Sequence, residues 1–358
     1  MPIRSILCAA VLLFAGAAAA QERRVPEGIG ANVADGYARV SLEAFAGATA
    51  RLHAGLEAVC AEPTREGLDD IRAAFADTVR AWGPVSVLRF GPLVAENHFE
   101  RIFFWPDPRG VTLRQVQGVL AEKEPETANV EGLAGKSVAL QGLPALEYVL
   151  FGTGSDAIGT GEEDFRCRYG AAIAGNAAAR ARELIEAWSP RAAFHDDFAH
   201  PGEGNALYRS PLEVAGEVVK ALGTSLQFAR DAELLPALGE TPSKANGKRA
   251  PLWRSDLTFD LVGTQIQGML ALIDVAGFGE ALDEERQAIL DALRFDLEHT
   301  LGALEEIEAP AEAAFADEQD RGRIAYAATA LQGANATVSE RFSAAIGLTM
   351  GFNALDGD

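Results

Sequence analysis

The sequence predicts an all-α protein made of two helical-bundle halves packed together. Three observations lead there. Apolar residues recur at helical spacing along one stretch after another, and strand-type alternation is nearly absent. The chain has 358 residues, 48% of them apolar. At roughly 100–200 residues per domain, that is enough for two cores and rules out wholesale disorder.

Taken in order, the first segment reads as an address rather than as structure. Arg4 precedes an apolar run from Ile6 to Ala15, and Ala18-Ala19-Ala20 closes it before Gln21. This is the layout of a signal peptide (residues 1–20) cut near Ala20, so a periplasmic or secreted protein is expected, with no membrane span in the mature chain. Residues 33–60 carry Tyr37, Val40, Phe45, Leu52 and Leu56 on one stripe, and 65–82 repeat the pattern with Leu68, Ile71, Phe75 and Trp82. Val85–Phe90, enclosed by Gly83-Pro84 and Gly91-Pro92, reads as a short extended piece or a loop. Phe165, Tyr169, Ile173, Leu184 and Trp188 mark the 163–188 helix, with Asn176 and Arg180 inside its stripe. Ser210-Pro211-Leu212-Glu213 is a capping box with proline at the first helical position. Ser255-Asp256 can cap a helix through Leu261 and Leu270. Further stripes cover 283–308 and 323–349. The expected division is a bundle over 21–190, a linker over 191–210 and a second bundle over 211–358.

Charge and cysteines narrow the function. With 31 Lys+Arg against 52 Asp+Glu, the net charge is −21. Binding to nucleic acid or to an anionic membrane surface needs clustered cations, so both are excluded. Cationic ligands, including metal ions, remain compatible. Cys8 leaves with the signal. In an oxidising compartment the remaining pair, Cys60 and Cys167, is expected to form a disulfide, the other arrangement being two separately buried thiols.

Two segments carry unusual chemistry. From Glu96 to Gly110, aromatics alternate with charges and a Pro-rich turn places Asp107 and Arg109. This is either carboxylates and guanidinium groups on a rigid aromatic support, or a buried helix end with solvated charges. In Gly142-Leu143-Pro144-Ala145-Leu146-Glu147-Tyr148-Val149-Leu150-Phe151-Gly152, Pro144 suits a first helical turn and Glu147 lies among apolar neighbours. A carboxylate placed there must pair with an arginine or bind a cation. Arg89, Arg101, Arg109 and Arg254 are the candidate partners. His98 with Glu96 and Glu100, and His195-Asp196-Asp197 with His200, are the other ligand-rich groups. The first adjoins the aromatic segment, the second the expected linker. His53 and His299 read as exterior residues. The acid runs Asp283-Glu284-Glu285 and Glu305-Glu306-Ile307-Glu308 read as solvated helix ends. No Gly-x-Ser-x-Gly elbow, haem-attachment motif or dinucleotide fingerprint is present.

In these segments the chain resembles the imelysin family of exported bacterial proteins, whose signature is Gly-x-His-x-x-Glu followed by an aromatic, apolar run and Gly. Gly142, Glu147, Tyr148, Leu150, Phe151 and Gly152 match it. Arg101–Asp107, Arg254-Ser255 and Gly351–Asp358 also look like family segments. The resemblance spans essentially the whole mature chain. It implies an all-helical fold of two bundle-like halves, with the motif near their interface. It also implies the metallopeptidase activity for which the family was named, and the link of other members to iron uptake. The motif histidine falls on Pro144, which has no ligand atom, and there is no His-Glu-x-x-His.

The reading is therefore a non-catalytic binding or accessory protein of metal acquisition, with iron or another divalent metal as cofactor. Its partners would be a small ligand or metal ion, and envelope iron-transport proteins. Its ligand site is expected around Glu147, Arg101, Asp107, Arg109, Arg254 and Ser255, with Glu147 as ligand or orienter and the arginines holding it or an anionic chelate. A zinc-type metallopeptidase, with ligands such as His98 and Glu147 drawn from distant helices, is the alternative. A third reading is an envelope protein in which Glu147 and an arginine form an internal pair.

Overall fold

A computed structural model describes residues 24–348, so the expected signal peptide (residues 1–20) and the terminal family-like segment 351–358 lie outside the described residues. Among the described residues the secondary structure is helical throughout, without strands. The principal helices are α1 (Arg39–Ala61), α2 (Arg65–Ser86), α3 (Val111–Glu122), α4 (Gly142–Phe151), α5 (Asp164–Ala187), α6 (Ala193–Ala199), α7 (Pro211–Phe228), α8 (Thr258–Ala276), α9 (Glu284–Glu305) and α10 (Glu318–Ala336).

Two helical halves pack together. In the first, α1 lies against α2 and α5, and the motif helix α4 lies between α3 and α5. In the second, α9 lies against α8 and α10, with α7 on α10. Helix α8 joins them, because its other side packs along α2. Close approach is possible there because Gly83 faces α8: a Cβ added to it would come within 2.2 Å of Thr264 Oγ1. The 258–281 stretch is long and apolar enough to cross a membrane, but most of it is buried between these neighbours as a core helix.

Capping follows the sequence. Ser210 accepts a hydrogen bond from the Glu213 amide, and Glu213 in turn accepts from the Arg209 amide. Asp283 caps α9 through the Arg286 amide. At α8 the structure differs. Ser255 and Asp256 do not cap it, since Ser255 turns to Glu147 and Asp256 accepts from the Ala311 amide. In the 85–90 stretch helix α2 runs on through Pro84 to Ser86, and residues 87–90 form a loop, one of the two expected readings, with Phe90 extended. The 191–210 segment carries α6, whose Phe198 is fully buried among Phe90, Trp188, Phe194 and Tyr208.

Cys60, near the end of α1, is bonded to Cys167 in the first turn of α5, with the Cα atoms 5.6 Å apart. The two are 107 residues apart in sequence. Loops of that length give the larger disulfide contributions, because closing them removes much entropy from the unfolded chain. Replacing both cysteines with serine should lower unfolding stability by about 2–5 kcal/mol in a urea titration. An unchanged midpoint would show that the bridge does not support the α1–α5 pair.

Candidate functional site

Helix α4 is fixed at its start by Gly142. Its φ of 74° favours glycine, and a Cβ there would lie 2.3 Å from the Ile102 carbonyl oxygen. Pro144 sits in the first turn, one turn before Glu147. At the other end the Arg166 guanidinium binds the carbonyls of Tyr148, Val149 and Thr153. Tyr148 and Val149 lie in the last turn, where carbonyls run short of helical partners; the Gly152 amide also reaches the Tyr148 carbonyl, and the buried arginine from α5 supplies the remaining donors. The helix is thus held at both ends, and Glu147 in its middle is only 3% exposed.

The Glu147 carboxylate meets the loop before α8. Its Oε1 accepts from the amides of Arg254 (2.8 Å) and Ser255 (3.0 Å). Ser255 Oγ lies 3.1 Å from the same oxygen and 3.0 Å from the Leu252 carbonyl, so its single proton serves one of the two at a time. Arg254 Nη1 stands 3.7 Å from Oε2. Its guanidinium lies between two aromatic rings, 4.4 Å from the Trp253 centroid and 5.3 Å from that of Tyr148. The loop reaches the carboxylate by putting Leu252 and Asp256 at positive φ, 55° and 61°, a costly conformation for non-glycine residues. Burial pushes the Glu147 carboxyl above its usual range, and Arg254 and the Ser255 and Arg254 donors pull it back down.

This arrangement does not fit a metal ion. One carboxylate oxygen is filled by donor groups and the other faces a guanidinium, so a cation placed there would meet N–H groups and a positive charge. Among the described residues, no group of three or more His, Cys, Asp or Glu side chains is placed to hold a metal.

The other expected site residues lie apart from Glu147. Arg101 binds the Ala134 and Glu96 carbonyls. Asp107 caps α3 through the amides of Val111 and Thr112, both at 2.8 Å. Arg109 is exposed, and its side chain joins neither Glu147 nor Arg254. His98 is buried with Nδ1 3.8 Å from Glu183 Oε2, an oxygen that Arg180 also binds, and burial lowers its pKa. The His195 group also disperses: His195 turns to Asp35 at 3.2 Å, while His200 pairs with Asp196 on the surface. The structure therefore brings together Glu147, Arg254 and Ser255, and leaves Arg101, Asp107, Arg109 and His98 in other roles.

A second buried polar centre, which the sequence reading missed, sits where the halves meet. Glu233 is fully buried on a π-helical turn, Ala229–Leu234, directly after α7. Gln265 on α8 donates to its Oε1 at 3.1 Å, while Glu233 Oε2 and Gln265 Oε1 have no partner. Arg89 was a candidate partner of Glu147, but it belongs here. Its guanidinium is sandwiched between Phe99 (3.8 Å) and Phe228 (3.9 Å), and its charge acts on Glu233. Burial pushes the Glu233 carboxyl up to about 7 against the pull of Gln265 and Arg89. Nearby, the Trp105 indole donates to the Ala232 carbonyl. No sequence signal marked this centre, because Glu233 follows Arg230 and Asp231 in a mixed polar stretch and a π-turn has no sequence signature.

Comparison with known proteins agrees with this architecture. The chain is similar in fold to an imelysin-like protein from Psychrobacter arcticum 273-4, with a TM-score of 0.71 at 17% identity over 90% of this chain and 96% of that one. It is equally similar (TM-score 0.71, 13% identity) to an iron-regulated protein A precursor from Parabacteroides distasonis ATCC 8503, over 92% of this chain and 97% of that one. No curated protein matches the sequence. The imelysin profile matches residues 36–338, which include the motif helix and both polar centres, and the chain belongs to the imelysin family.

Proposed function

We propose that this chain is a non-catalytic binding protein of the cell envelope that serves iron acquisition. It takes iron as an anionic, carboxylate-rich chelate on the face formed by Tyr148, Trp253 and Arg254. The observation that carries the reading is the state of the motif. Pro144 stands where the family has its histidine, and Glu147 is held by Arg254 and Ser255. Neither residue is free to bind zinc or activate water, as a metallopeptidase would require. What the motif does instead is hold Arg254 in a fixed pose between two aromatic rings, with 22% of its side chain exposed. The exposed Arg249 adds positive charge beside it, while Lys248, 5.2 Å from the Trp253 ring, is paired with Glu312. A planar guanidinium with a cationic neighbour suits carboxylate groups through paired hydrogen bonds.

Export is supported by the signal-like segment before Gln21, and the iron connection by family members and by the name of the Parabacteroides protein. The test is titration of ferric citrate into the mature protein. Arg254→Lys keeps the charge beside Glu147 but loses the planar fork, and should weaken binding about tenfold. Equal binding by the two proteins would remove this face from consideration.

A further inference from the structure

Glu233 and Gln265 hold two acceptors that nothing answers. The Gln265 amide donates to Glu233 Oε1, yet Glu233 Oε2 and Gln265 Oε1 are both buried without a hydrogen-bond partner. An orphaned buried acceptor is costly, and an ionised carboxylate held by one neutral donor is more so. A single proton resolves both. Placed on Oε2, it turns that oxygen into a donor, and Gln265 Oε1 is the open acceptor on the group already bound.

The centre also spans the two halves. Glu233 belongs to the second half, and Gln265 lies on the joining helix α8. Arg89 comes from the first half, where its Nε donates to the Ser86 carbonyl at 3.2 Å. Its guanidinium lies between Phe99 of the first half and Phe228 of the second, two rings that also meet edge to face at 5.9 Å. The Trp105 indole ties the first half to Ala232 on the same π-turn. Burial lowers Arg89 to about 10, so it stays a cation across the neutral range.

The other charges nearby are engaged elsewhere. Arg230 and Asp231 on the turn pair with each other. Glu213 of α7 pairs with Arg209, and Glu217 acts on Tyr208. On α8, Asp260 and Asp274 pair with Arg80 and Arg294. On α10, Asp320 pairs with Arg323, and Arg321 binds the Leu238 and Gly239 carbonyls. Lys220 and Glu318 are exposed. The charge acting on Glu233 is that of Arg89, on which Glu100 acts in turn.

We propose that Glu233 is a proton-operated latch between the halves. Protonated, it closes a two-bond carboxyl–amide link to Gln265. When the proton passes to bulk water, the buried carboxylate draws the Arg89 guanidinium off the Phe99–Phe228 stack, and the joint loosens. Two arrangements of one packed centre, selected by a single charge, are the elements of a switch. The latch is independent of the chelate reading, because it shares no residue with the Tyr148, Trp253 and Arg254 face.

The test uses the full mature chain. Infrared difference spectra between pH 6 and pH 8 should show the carbonyl band of a protonated carboxyl group, lost in Glu233→Gln. Gln265→Met keeps the acid but removes its amide partner, and should shift that band. Hydrogen exchange, corrected for the intrinsic pH effect, reads the joint itself. Protection of the 229–234 turn and of residues 84–90 should fall about tenfold from pH 6 to pH 8 in the parent, and less than about twofold in Glu233→Gln. A peptide from the disulfide-linked α1 should change less than about twofold in both. A missing carbonyl band, a band unmoved in Gln265→Met, or an equal loss of protection in Glu233→Gln would each overturn the proposal.

Discussion

Glu147→Ala should destabilise the protein by about 3 kcal/mol in urea unfolding while the helical circular dichroism of the native state persists. The substitution strips acceptors from two backbone amides and the Ser255 hydroxyl, and leaves Arg254 without its counter-charge. Removing one partner of a buried pair costs about 3–5 kcal/mol, since the other charge stays behind. The lower end applies here because Arg254 keeps some solvent and both aromatic rings. The loss should spread beyond α4, because the loop bound by Glu147 leads into α8, the helix that joins the halves. A change below about 0.5 kcal/mol would mean the carboxylate is not a structural anchor.

The second large effect concerns pH. Burial raises the folded pKa of the Glu233 carboxyl to about 7 from an ordinary value of 4.5. Between these values the unfolded chain has released this proton while the folded protein still holds it. The group's stabilising contribution is thus fully present below about pH 4.5 and is lost as pH rises through about 7. A shift of this size corresponds to about 3 kcal/mol. Glu233→Gln removes the ionisation and keeps a side chain of the same shape beside Gln265. Its stability relative to the parent should therefore rise by about 2–3 kcal/mol between pH 5 and pH 8. Unfolding curves of the two proteins at those pH values provide the check, and parallel pH dependence would show that Glu233 does not titrate in this range.

Much of the fold was legible because its signals are local. The stripe through Phe165, Tyr169 and Ile173 and the capping box at Ser210 each depend on residues within a turn or two. Misreadings arose where a distant partner takes over a local signal. Ser255-Asp256 has the composition of a helix cap, but Glu147, more than a hundred residues earlier, claims Ser255, and the Ala311 amide claims Asp256. Val85 and Ser86, flanked by a Gly-Pro pair, stay helical because α2 is held along α8. At the site, the apolar setting of Glu147 announced a buried carboxylate that needed a cation, and Arg254 was among the candidates. Which arginine answers it is a matter of tertiary placement, and so is the transfer of Arg89 to Glu233. Arg101 and Asp107 look like ligand groups in sequence, yet their geometry makes them caps for carbonyls and amides.

The central claim is that the motif carboxylate anchors Arg254 and holds no metal. The most direct test is a paired calorimetric titration at fixed ionic strength, with ferric citrate in one arm and free zinc or ferrous ion in the other. The parent protein, Arg254→Lys and Glu147→Ala would be compared, each first confirmed as folded by circular dichroism. The parent should bind the chelate, and Arg254→Lys should weaken that binding about tenfold. No free-ion binding that depends on Glu147 is expected. Stoichiometric binding of the free ion by the parent, lost in Glu147→Ala, would contradict it and return Glu147 to the role of a metal ligand.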